Sequence, residues 1–293
     1  LPESAAKTAL ESGAEVTPLT QGDFCDLSLI SYMQPASKVE HPTAWDRLMA
    51  DETEVEAVLK VVQRASDNDL LANEVRILNH LFPPEAEQEK FLRYLPHLMD
   101  SFFDGARHAI VLARIEGYVS LADILKSYPE GIDYRDFAWM FRRMLEGIGY
   151  VHQRGVVHAA LVPSHILVHP TDHGAKLIDW SYAVQAKETV KAVVGQWRPY
   201  YAPEILHKIP PRPSSDLYML AKCAVALLGG NPADNSFPDK VPDSVQAFFR
   251  GCLMRNPAQR PSDAWKLYDE FAEVLHKLVG RPRYRPFEMP ALN

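Results

Sequence analysis

Cysteine is scarce in this chain of 293 residues: Cys25, Cys223 and Cys252 are all it has. They lie far apart, with neither a CxxC nor a zinc-ligand spacing, which excludes a disulfide framework and points to reduced thiols. A basic excess is also lacking. Lys and Arg number 31 against 38 Asp and Glu, a net charge of −7, whereas a nucleic-acid surface usually needs surplus positive charge. No nucleic-acid partner is therefore expected. No apolar run approaches the length of a membrane span, and no signal peptide opens the chain. A cytoplasmic protein without membrane contact is the expectation. The first residue is Leu rather than Met, which suggests a domain of a longer protein.

What is present is ordinary for a folded chain: 47% hydrophobic and 24% charged residues. The length suits two lobes sharing a cleft. Residues 1–17 are small and polar without apolar periodicity and read as a linker or tail. The pattern over 19–29 suits a strand, a turn and a strand. Residues 31–54, broken by Pro35 and Pro42, read as an insertion with a short helix near 45–49. The run 55–62 (VEAVLKVV) is a strong β pattern. Leu70, Leu71, Val75, Leu78 and Leu81 recur at helical spacing over 67–81. Strands are expected near 95–103 and 109–115.

The remainder reads as mostly helical. Phe137, Phe141, Leu145, Ile148 and Val151 share one face of a helix over 134–154. Short strands are expected at 156–157, 166–168 and 175–178, and helices at 215–228, 243–254 and 262–279. Strands first and helices later give an α+β fold with unequal lobes. The expected division is a tail over 1–17, an N-lobe over 18–115, a C-lobe over 116–280, and a Pro/Arg-rich tail over 281–293. For that last tail, packing back on a lobe, binding a partner and disorder all remain open.

The chemistry lies in the order of several short motifs. Lys60 ends Ala-Val-Leu-Lys, and Glu74 follows on the next helix. The run 156–168 (VVHAALVPSHILV) is followed by Asp179-Trp180-Ser181, then Ala202-Pro203-Glu204, Asp216 and Arg260. Jointly, over about residues 18–280, this order resembles the eukaryotic-type Ser/Thr protein kinases, with their V-A-I-K, H-R-D-L-x-x-x-N, D-F-G and A-P-E motifs. The runs at 22–27, 67–74 and 158–168 also resemble kinase-like domains attached to J-domain proteins in bacteria, although the chain contains no J domain.

The resemblance implies a bilobal fold with a β-rich N-lobe and a helical C-lobe. It pairs Lys60 with Glu74, and Lys60 holds nucleotide phosphates. Asp179 stands at the metal-binding Asp. It places Leu112 as gatekeeper, Ala113 to Ile115 as the adenine-binding backbone, and Leu27, Val58 and Leu167 around the base. Plain core packing explains those three as well. Gly22 is the one glycine left of three in the phosphate loop; Thr20 and Cys25 stand where the others would be. A simple hairpin accounts for the same residues. Leu78, Trp180 and His158 match a packed column linking the lobes. Glu204 and Arg260 match a buried ion pair, and Asp216 the start of a core helix.

The catalytic loop departs from the pattern. Ala160 stands at the catalytic Asp, His165 at the metal-binding Asn, Val162 at a phosphate-contacting Lys and Ala159 at an Arg. A methyl group cannot take a proton from a hydroxyl, and magnesium prefers oxygen to imidazole nitrogen. The expectation is a pseudokinase without enzymatic activity, serving as a scaffold or allosteric module for a protein partner. ATP or another nucleotide would bind weakly, with little magnesium dependence. Two alternatives stand beside it: nucleotide-dependent transfer of another group, and a purely structural domain. His165, His169 and His173 read as solvated loop histidines rather than as a metal site.

Overall fold

Alternating apolar residues build the first of two units, which takes in Leu1–Asn79 and His97–Glu116. The structure is a computed structural model and describes residues 4–35, 52–82, 89–281 and 283–289. Strands β1 (Val16–Gln21), β2 (Cys25–Pro35), β3 (Glu52–Val62), β4 (Leu98–Asp104) and β5 (Arg107–Ala113) form one antiparallel sheet, in the order β1-β2-β3-β5-β4. Leu27 lies opposite Lys60, and Val58 opposite Leu29 and Leu112. Facing residues and alternate residues share a side of a sheet, so Leu27, Val58 and Lys60 lie on one face. Ile30, Tyr32, Ala57, Leu59 and Val111 lie on the other.

That second face is covered by a helix the sequence does not announce. Helix α1 (Ala5–Glu11) buries Ala6 completely, with Ala5, Ala9 and Leu10 packed alongside it against Ile30, Tyr32, Leu59 and Val111. Ser4 caps it by accepting from Lys7 N at 3.0 Å, and its hydroxyl donates to Asp100 on β4. The expectation of a tail over 1–17 is corrected here. The helix has weak periodicity because its inner face is mostly alanine. Alanine is the best helix former, and its methyl lets the helix approach the sheet closely. The segment 31–54 also changes: β2 reaches Pro35 and β3 starts at Glu52, so both its ends are strand. The helix expected at 45–49 lies outside the described residues. Helix α2 (Asn68–Leu81) matches its apolar spacing.

The second unit comprises His80–Pro96 and Gly117–Asn293. Residues 80–96 thus leave the N-lobe span assigned to them from sequence. Within them, helix α3 (Glu89–Leu92) brings Phe91 onto Tyr150, with ring centroids 5.4 Å apart. The Tyr94 carbonyl accepts from Leu177 N at 2.8 Å, and the Leu95 carbonyl from Lys176 Nζ at 3.1 Å. Such long-range backbone bonds leave no local signature.

Strand β6 (Val119–Ser120) leads into helix α4 (Leu121–Ser127), which the sequence reading missed and which Ser120 caps. Helices α5 (Tyr134–Gln153), α6 (Pro203–Leu206), α7 (Pro213–Leu227), α8 (Asp243–Cys252) and α9 (Ala264–Val279) form the bulk. Phe141 meets Phe249 and Phe271 edge-on at 5.0 and 5.1 Å in their core. At Gly149 a Cβ would come within 2.7 Å of the Trp265 ring, so α5 and α9 close up only over glycine. Short strands β7 (Val156–Val157), β8 (Ile166–Val168), β9 (Ala175–Leu177) and β10 (Val184–Gln185) pair as β6-β8-β9 and β7-β10, both antiparallel.

Residues 283–289 lie on this second unit. Phe287 is buried beside Tyr128, and Arg285 pairs with Asp133 at 3.6 Å and Asp136 at 3.4 Å. His173 donates from Nε2 to the Arg285 carbonyl while its ring stacks 3.9 Å from that of Trp139. Of the three readings left open for the tail, residues 283–289 take the first. Among the described residues no helix is long and apolar enough to cross a membrane.

Candidate functional site

The first unit contributes a buried charge pair. Strand β3 directs Lys60 to the face it shares with Leu27 and Val58, and α2 presents Glu74 to it. Lys60 Nζ donates to Glu74 Oε2 at 2.7 Å, with 4% and 0% of the two residues exposed. Placing two charges out of water is costly, and close pairing is what makes it tolerable. The sequence reading missed Phe24: it is buried, and Lys60 Nζ lies 5.2 Å from the centre of its ring. Gly22 N donates to Cys25 O at 2.8 Å, and the Phe24 carbonyl accepts from Gln63 N. The loop over 22–25 is thus a tight turn closed on itself. At the far end of the sheet, Ala113 N donates to the His97 carbonyl, and Ile115 follows beyond the end of β5.

The second unit contributes the loop between β7 and β8. Its backbone hangs on Asp216, fully buried at the start of α7. The Asp216 carboxylate accepts from His158 N at 2.9 Å and Ala159 N at 2.8 Å, and lies 2.9 Å from His152 Nε2. Ala159 holds φ at +61°, a left-handed conformation costly for a residue with a Cβ. The two bonds from Asp216 hold it there. His158 donates from Nε2 to the Ile178 carbonyl, and its ring lies 4.3 Å from that of Trp180. Full burial pushes its pKa down to about 4, so it is neutral. Trp180 is completely buried, and its Nε1 donates to Leu177 O.

Within this frame the side chains at 160 and 162 are apolar and inaccessible, with Ala160 and Val162 both 0% exposed. His165 is buried too, which corrects its reading as a solvated histidine. It sits in a single turn of 3-10 helix (Pro163–His165). Nδ1 donates to the Ala160 carbonyl at 2.9 Å, and Nε2 lies 3.2 Å from Asp179 Oδ2. The ring runs nearly parallel to that of Tyr182. Asp179 itself is left-handed, with φ +62°, a conformation Asp tolerates better than most residues. His169 and His173 are half-buried and engaged, His169 with Asp172 and Tyr118, His173 with Trp139 and the tail.

This donor set does not fit magnesium. The ion requires oxygen ligands in near-octahedral geometry. Position 165, where the motif carries a metal-binding Asn, offers an imidazole already turned onto the carboxylate of Asp179. In the same unit, the structural ion pair is complete. Arg260 grips Glu204 with two bonds, at 2.7 and 3.1 Å, and Ser215 donates to the same carboxylate at 2.6 Å. Burial works to raise the Glu204 pKa, but the bonds from Arg260 and Ser215 outweigh it and hold the carboxyl below its ordinary value.

The predicted residues therefore gather in two groups. Lys60, Glu74, Val58, Leu27 and Gly22 belong to the first unit with Ala113 and Ile115; Ala160, His165, Leu167 and Asp179 belong to the second. The Lys60–Glu74 and Glu204–Arg260 pairs form as their motifs imply. The His165–Asp179 contact was not foreseen. The spacing of fourteen residues carries no signal for it.

Comparison with known proteins adds the family. A family model described as the protein kinase domain matches residues 47–236. The serine/threonine-protein kinase PAK mbt of Drosophila melanogaster is 24% identical over 77% of this chain and 37% of its own length. The calcium/calmodulin-dependent protein kinase type 1 of Macrobrachium nipponense is 27% identical over 56% of this chain and 45% of its own. Human serine/threonine-protein kinase PAK 4 is 25% identical over 72% of this chain and 37% of its own. The chain spans less than half the length of these relatives. A solved kinase domain superposes with a TM-score of 0.65 at 15% identity, over 89% of this chain and 95% of that one, which shows the fold. These findings overturn the expectation that the chain is not an enzyme, because the relatives are named as protein kinases. With its sheet-rich N-terminal part, its helical C-terminal part and the match over residues 47–236, the chain belongs to the protein kinase family.

Proposed function

We propose that this chain binds an adenine nucleotide and transfers a group from it slowly, without the carboxylate base of a complete kinase loop. The observation that carries the reading is the Lys60–Glu74 pair, enclosed and 2.7 Å long. An ammonium held this way is a compact positive charge suited to phosphate oxygens. Leu27 and Val58 on the same sheet face supply an apolar surface for a base.

Transfer without a carboxylate at 160 is physically coherent. In a loose, metaphosphate-like transition state the nucleophile's proton contributes little, and positioning and electrostatics dominate. A missing general base lowers the rate by about 10²- to 10⁴-fold rather than setting it to zero. Binding is weak, because only Gly22 remains of the phosphate-loop glycines and Phe24 lies against Lys60.

The test is a thermal-shift titration with ATP, followed by mass spectrometry of the protein and of candidate protein acceptors. The expected result is a modest shift and a slowly accumulating modification, both lost in Lys60→Ala. No shift together with no modified product would sink the proposal.

A further inference from the structure

We infer that His165 takes the place of a divalent cation at Asp179, so that a nucleotide bound here is bound metal-free. The inference rests on the nucleotide reading above and specifies the form of the ligand: the free nucleotide rather than its magnesium complex.

The Ala160 carbonyl can only accept, so His165 Nδ1 carries a hydrogen and donates at 2.9 Å. Nε2 then faces Asp179 Oδ2 at 3.2 Å. The contact occupies one carboxylate oxygen and the ring nitrogen that Ala160 leaves over, the one that could have ligated a metal.

The arrangement is also built to stay. His165 is 7% exposed, and its ring lies along that of Tyr182. Its own N–H donates to Val162 O at 2.9 Å, and its carbonyl accepts from Ile178 N at 3.0 Å. Both ends of the contact are thereby tied, since Ile178 immediately precedes Asp179. Freeing the carboxylate requires turning a buried ring out of its bond to the Ala160 carbonyl. Asp179 is accordingly held by a protein side chain at the oxygen an ion would take.

Two measurements test this. The first is affinity for a fluorescent ATP analogue, in EDTA and in excess magnesium, for the native chain and for His165→Asn. The native chain is expected to bind equally well in both. The variant, with an amide oxygen restored, is expected to gain at least about tenfold from magnesium. The second is manganese binding to the protein alone, followed by electron paramagnetic resonance. The native chain is expected to show no site, and the variant one. A manganese site in the native protein that Asp179→Ala abolishes overturns the inference, as does an equal gain from magnesium in both proteins. If neither protein binds the analogue, the nucleotide reading fails and the manganese measurement on the native chain decides the inference alone. Should His165→Asn fold poorly, His165→Gln replaces it, and the native measurements stand without either.

Discussion

Two acid–base pairs in the second unit look alike and do different work. Glu204–Arg260 is sealed: the Arg260 side chain is 0% exposed, and every nitrogen of its guanidinium finds an acceptor among Glu204, Met254 O and Arg255 O. Tyr218 stacks beneath it at 4.4 Å. In His165–Asp179 the carboxylate side chain keeps 19% of its surface exposed. The first pair is saturated on all sides and holds α6 to the segment ahead of α9. The second joins the two positions that the kinase motifs give to metal ligands, and its carboxylate remains within reach of water. Enclosure, more than distance, separates the two pairs, because the cost of losing a partner scales with how completely the survivor is cut off from solvent.

The sharpest way to break that contrast is Arg260→Ala. It leaves the Glu204 carboxylate buried beside Ser215 alone, and the expected loss is about 3–5 kcal/mol in urea denaturation. A loss below about 1 kcal/mol would mean that Glu204 reaches water and the two pairs do not differ in kind.

The next effect is pH-dependent and belongs to His158, in the same loop as His165. Its pKa falls to about 4 in the folded chain, chiefly through burial, against about 6.5 when unfolded. The unfolded state therefore binds the extra proton first, and stability drops as the pH falls from 6.5 towards 4. Between pH 7 and pH 5 the expected loss is about 2 kcal/mol from this group. His158→Phe should flatten that part of the stability profile, and an unchanged profile would count against a neutral buried imidazole.

The smallest effect is His165→Ala. Asp179 can turn to water, so about 1 kcal/mol is expected. A loss as large as that of Arg260→Ala would place His165–Asp179 among the structural pairs.

Much of the fold was legible because it rests on local periodicity. The β pattern over 55–62, the apolar face over 134–154 and the helix over 67–81 all appear within three residues of their expected bounds. What escaped had no period to show. Helix α1 hides behind alanine, and α4 is only seven residues long. The strand-like contacts of residues 94–95 with 176–177 depend on carbonyls, which every sequence carries.

The candidate site divides the same way. Lys60, Glu74, Asp179, Glu204, Asp216 and Arg260 could be named from motif order, and so could the losses at Ala160 and His165. The error lay in the step from lost groups to absent enzyme, which the kinase relatives correct. What His165 does could not be read at all, since residue identity says which ligand is missing but not where its replacement points.

The chain's sequence by itself determined the family, the order of the elements and which polar groups the catalytic loop no longer carries. Those depend on residue type and on spacing along the chain. Tertiary structure decided that residues 5–11 roof a sheet, that residues 283–289 lie along the second unit, and that His165 rests on Asp179. Each joins residues far apart in sequence or turns a buried side chain one way rather than another, and the packing of neighbouring groups around them makes that choice.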